Sequence, residues 1–109
     1  MFNIAALPTF KRTVKVSVPN DAGYEEQSFI ATYKVLDTAT ADSFGLDTEK
    51  GSADFVRAIL ISLDDIVGAD KKPVPYSDEL RDQVIAVPYA RMALVRTYMA
   101  AVGGAKAGN

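Results

Sequence analysis

Neither cysteine nor histidine occurs among the 109 residues, and these two absences remove more chemistry than any motif adds. Without cysteine there is no disulfide, no thiolate nucleophile and no zinc-thiolate site, which leaves the redox compartment open. Without histidine there is no Ser-His-Asp or Cys-His pair, and the commonest metal ligand and general base is missing. An enzyme is therefore not expected, and no metal or cofactor is expected either. An excess of one charge is also lacking. With 12 basic and 14 acidic residues, there is no field to gather nucleic acid or an anionic membrane surface. Long apolar runs are missing too: MFNIAALPTF at the start has no basic leader, and its apolar stretch is too short and broken for a signal peptide or a span. The expectation is a weakly acidic protein, neither exported nor inserted, that binds neither nucleic acid nor membrane.

What is present suits one domain, residues 1–109, whose folding buries roughly two-thirds of the unfolded chain's surface. Residues 1–10 carry Phe2, Ile4, Leu7 and Phe10 without a period, and Pro8 interrupts them, so they read as an N-terminal arm with uncovered apolar side chains. Arg12 to Val18 alternates, with Val14, Val16 and Val18 on one face, and predicts a half-buried strand. PNDAG follows as a turn, read as longer than two residues, and Gln27 to Leu36 predicts a second strand with Phe29, Ala31, Tyr33 and Val35 on one face. Asp37 to Leu46 predicts a short helix stopped by Gly45.

The centre of the sequence is SADFVRAILISLDDIV. Its apolar residues Phe55, Val56, Ile59, Leu60, Leu63, Ile66 and Val67 form a helical stripe, with Ser52 as N-cap and Gly68 after the end, so a core helix is expected over Ser52 to Val67. Thr48, Glu49 and Lys50 are able to lengthen it by a turn. Beyond the prolines of KKPVPY, Ser77 predicts an N-cap for a helix burying Leu80, Val84, Ile85 and Val87. Pro88 opens the last helix, with Tyr89, Met92, Val95, Met99 and Val102 as its expected buried stripe and Tyr98 facing outward. Gly103 and Gly104 end it, and 103–109 reads as a flexible tail. The expected architecture is α+β, a β-hairpin packed beside three to four helices.

Few residues suggest chemistry. Asp64, Asp65 and Asp70 are close in sequence, but their spacing is not that of a calcium loop, and a solvated helix end is the simpler reading. Lys11, Arg12, Lys15 and Lys34 are expected together on the exposed face of the hairpin, where edge strands use such charges against unwanted pairing. Methionine and tyrosine in the last helix suit either core or an adaptable partner surface, and Met92 is assigned to the core. Partner binding is placed on Phe2, Ile4, Leu7, Phe10 and Tyr98.

Taken in order, FKRTVKVSVPNDAG, EQSFIATYKVL, the segment ADFVRAILISLDDI, the link KKPVPYSDELRDQVIAVP and the closing AKAGN resemble the tail assembly chaperones of long-tailed bacteriophages. The resemblance spans nearly the whole chain and carries no catalytic signature. It implies a small protein of the host cytoplasm, needed for tail morphogenesis and absent from the finished virion, that holds the tape measure protein and helps recruit tail tube subunits. It also implies a short form beside a frameshifted long one; Ala107, Gly108 and Asn109 permit the slippery heptamer G GGA AAC. Weak self-association is expected from the open edges of a two-stranded hairpin. The alternative is a small structural tail or connector subunit retained in the virion.

Overall fold

The computed structural model describes residues 1–5 and 7–104. Strands β1 (Thr9–Asn20) and β2 (Gly23–Lys34) form an antiparallel hairpin. They are followed by α1 (Thr38–Asp42), α2 (Glu49–Ile59), β3 (Leu60–Asp64), α3 (Asp78–Ile85) and α4 (Pro88–Val102). β3 pairs antiparallel with β2, giving a three-stranded sheet in the order β1-β2-β3. The class is α+β, as the hydrophobic patterning implies.

Alternation places Val14 and Val16 of β1 and Phe29, Ala31 and Tyr33 of β2 on the inner face, where all five are buried. Phe55, Val56 and Ile59 of α2 and Ala93, Leu94 and Tyr98 of α4 close over them in one cluster. The outer face carries Lys11, Lys15 and Lys34 into solvent. Arg12 does not join them. It stands opposite Ala31 on the inner parity and covers the Phe10 ring at 5.1 Å, an amphipathic stem over an aromatic face.

The hairpin turn is tighter than its composition suggests. Asn20 pairs with Gly23, so only Asp21 and Ala22 form the loop. The Asn20 side chain accepts from the Ala22 amide at 3.0 Å, and Gly23 takes φ of 131°, which a side chain would resist. Both strands outrun their apolar alternation because ladder hydrogen bonds need no buried side chains. Pro19, which cannot donate to a ladder, is tolerated on the edge strand.

The central helix is shorter than expected and begins earlier. Thr48, not Ser52, is the N-cap, its hydroxyl accepting from the Gly51 amide at 2.9 Å. Leu60 then leaves helical geometry at φ −95° and ψ 128°, and 60–64 run as a strand. Leu60 and Leu63 stay buried by this route, Ile61 is exposed, and Val67 emerges on the surface. The switch gives β2 a partner on its second side, from within the chain. Gly68 opens a small turn, in which its amide donates to the Lys72 carbonyl, and it caps no helix.

The starts of the other helices agree with the sequence, but α1 stops at Ser43, before the expected Gly45. The Asp37 carboxylate accepts from the Thr40 amide at 2.7 Å and Ser77 accepts from Leu80, while Pro88 stands in the first turn of α4. Gly103 and Gly104 end α4. The rest of the expected tail, 105–109, lies outside the described residues, as does Ala6 of the arm.

Candidate functional site

The face of α4 that meets solvent is the stripe expected in the core. Ala90, Ala93, Leu94 and Tyr98 are buried instead, while Met92 is 61 % exposed, Val102 48 % and Met99 40 %. The reason lies in the helix's composition. Among its 15 residues only Arg91 and Arg96 are charged, so apolar groups surround it and periodicity cannot choose a face. Packing chooses: the alanines let the helix approach the sheet, and Tyr98 finds polar partners only inside. A helix apolar all round is normally covered all round. Here one side is not.

Met92, Val95, Met99 and Val102 follow one another at spacings of three and four, a ladder about 15 Å long at 1.5 Å per residue. Val95 is its half-buried member and packs against the core. Beside the ladder, where α4 passes the segment entering α2, a groove of about 500 Å³ has Leu46, Met92 and Val95 as its apolar lining. Asp47, in the turn before α2, and Glu49, at its start, line it on one side, and Arg91 and Arg96 of α4 on the other. Arg91 is held in place by donating to the Ile85 carbonyl at 3.0 Å. The arrangement offers an apolar seam edged by both charge signs, which suits a protein segment.

The other assigned contact residues fall into two groups. Phe2, Ile4 and Leu7 are exposed as expected. Phe10 belongs to β1 and stacks 5.3 Å from Tyr33 and 6.2 Å from Tyr98. Tyr98 is 3 % exposed and accepts from the Leu36 amide, so it cannot meet a partner without unfolding. Sequence reasoning missed the inward turn of Tyr98; Tyr33 and Phe55, its ring neighbours, lie 65 and 43 positions away, beyond any local period.

Asp64, Asp65 and Asp70 are not gathered for a cation. Asp64 sits on β3 opposite Ile30, Asp65 occupies the left-handed region at φ 63°, and the Asp70 side chain accepts from the Lys72 amide at 3.0 Å. Among the described residues no cluster of three or more potential metal ligands forms, and no helix is long and apolar enough to cross a membrane. No protein-family model, no curated protein and no solved structure matches the chain.

Proposed function

We propose that this protein is a tail assembly chaperone of the long-tailed bacteriophage type, acting in the host cytoplasm. It binds the tape measure protein through α4 and helps recruit tail tube subunits while the tail is built. The observation that supports this reading is the ladder of exposed Met92, Met99 and Val102, with half-buried Val95 between them, on a largely apolar helix. A ladder at helical spacing matches the apolar face of another helix, the recognition mode in which anchors recur every three or four residues. Methionine at two of the four positions lets the seam adapt to successive, non-identical stretches of a long client. Flanking carboxylates and guanidinium groups set orientation more than affinity.

The test is binding of a helical tape measure fragment to the protein and to the double variant Met92→Glu with Met99→Glu, by titration calorimetry. Both side chains are exposed, so the fold should persist. Loss of about tenfold or more in affinity is expected for two buried apolar anchors. Unchanged affinity sinks the α4 assignment, and mass spectrometry that finds the chain at stoichiometric copy number in purified virions supports a structural subunit instead.

A further inference from the structure

The sheet order leaves one side of β1 without a partner strand, and the register says which groups lie along it. The Val35 amide donates to the Pro8 carbonyl, and the strands pair residue for residue from Thr9 with Lys34 to Asn20 with Gly23. Hydrogen-bonded pairs alternate in an antiparallel ladder, so Pro8 and every second residue after it turn their backbone groups toward β2. Thr9, Lys11, Thr13, Lys15, Ser17 and Pro19 turn theirs outward. Side-chain bonds agree with this: Arg12 Nη1 donates to the Lys11 carbonyl at 2.9 Å, and Arg96 Nη2 reaches from α4 to the Lys15 carbonyl at 3.5 Å. Pro19 has no amide to offer. An edge strand is a template for another strand, and here the usable stretch is Thr9 to Lys15.

The charge along that stretch has one sign. Lys11 and Lys15 stand exposed on the outer face, and the Arg12 and Arg96 guanidinium groups sit on edge carbonyls. Among the described residues the ion pairs join Lys50, Arg57 and Arg81 to Asp54, Asp78 and Asp82, and Lys11, Arg12, Lys15 and Arg96 belong to none of them. Asp37, just past β2, caps α1 through the Thr40 amide. The carboxylates of the outer face, Glu26 and Asp64, stand on β2 opposite Ser17 and on β3 beyond it. We infer that the β1 edge from Thr9 to Lys15 takes an extended, acidic segment of another protein as an added strand. Main-chain hydrogen bonds supply the affinity, and the carboxylates supply the selection. A guanidinium that leaves a carbonyl for a carboxylate exchanges a neutral acceptor for a charged one, which makes the stronger bond, and it frees that carbonyl for the ladder. A neutral strand offers no such exchange, and a second copy of β1 brings the same lysines. The opposite edge, β3, is five residues long and ends in Asp64, so it has neither the length nor the sign. Nucleic acid matches the charge but not the spacing of donors and acceptors along a strand. The edge is a different surface from the Met92 and Met99 ladder, and the inference stands whatever that ladder binds.

The probe is a short labelled peptide that alternates glutamate and threonine, titrated with the full-length protein at low salt and followed by fluorescence anisotropy. Saturable binding is expected, weakened about tenfold or more by Lys11→Glu combined with Lys15→Glu. Both side chains are exposed, so the double variant tests the contact and not the fold. The same peptide with lysine for glutamate should not bind. Analogues N-methylated on alternate amides separate strand addition from charge attraction: the set that faces β1 should abolish binding, and the other set should leave it. Hydrogen exchange gives the position, because the outward amides of Lys11, Thr13 and Lys15 should slow when the acidic peptide is bound. Absence of binding, equal binding by the two methylated analogues, unchanged exchange at these amides, or an oligonucleotide of the same charge binding as tightly as the peptide would each overturn the inference.

Discussion

Tyr33 and Tyr98 hold each other's elements in place. From β2, the Tyr33 hydroxyl donates to the Leu94 carbonyl of α4 at 2.9 Å. From α4, the Tyr98 hydroxyl accepts at 3.0 Å from the amide of Leu36, just past β2. Their ring centroids are 5.6 Å apart, and Phe55 meets Tyr98 edge-on at 5.5 Å. The clasp joins strand, helix and the apolar centre at one point.

The two hydroxyls should not be equal. Tyr33→Phe leaves a carbonyl that keeps its place in the helical ladder, a loss of about 0.5–1.5 kcal/mol. Tyr98→Phe leaves the Leu36 amide without its acceptor, which costs about 1–3 kcal/mol. Urea unfolding of both variants checks the order, and equal losses would show that the Leu36 amide finds water.

Alkaline stability should depend on Tyr33. Burial pushes its phenol well above the ordinary value of 10.0, so above that pH the unfolded chain releases a proton that the folded chain retains. Stability from this residue is therefore complete below about pH 10 and falls as pH rises beyond it, by up to about 1.4 kcal/mol per pH unit. Tyr33→Phe should flatten that limb in unfolding measured from pH 9 to 11.5.

Gly51 inverts the usual helix rule. In an exposed helix interior, glycine to alanine gains about 1 kcal/mol. Here a Cβ on Gly51 would collide with the Gly45 carbonyl oxygen, which is backbone and cannot swing aside. Gly51→Ala should lower the melting temperature, and a rise would mean that the turn before α2 is free to move.

Leu60→Ala should cost about 2–5 kcal/mol, since Leu60 is buried at 7 % exposure. Its neighbour Ile61 faces solvent at 42 %, and Ile61→Ala should cost much less. Comparable losses at the two positions, measured by chemical denaturation, would contradict the strand geometry of β3.

Acid should loosen the link between α2 and α3. The Asp82 carboxylate accepts from Arg81 and from Arg57, each at 3.2 Å, and these partners hold its pKa below the ordinary 3.8. A depressed carboxyl stabilises the fold above the unfolded value, and the contribution is lost as pH falls through the folded one. Asp82→Asn should remove this part of the acid transition, and high salt should mimic it. An acid transition unchanged in the variant would leave the pair without a role.

The hairpin and most helix starts are legible in the sequence because their signals are local. Val14, Val16, Phe29, Ala31 and Tyr33 alternate at the strand period, Asp37 and Ser77 have the chemistry of caps, and Pro88 fits only a first turn. The missing cysteine and histidine bound the chemistry in the same direct way. Segments with two solutions were settled elsewhere. ILISLDDIV carries a stripe that buries Leu60 and Leu63 as helix or as strand, and the open edge of β2, far away in sequence, selects the strand. In α4 both faces are apolar, so only the fit of Ala90, Ala93 and Leu94 against the packed sheet and the hydrogen bond from Leu36 to Tyr98 turn Met92 and Met99 outward. Composition set how much apolar surface the helix carries, and tertiary packing decided which part of it was left exposed, because burial is a property of neighbours and neighbours are distant in the chain.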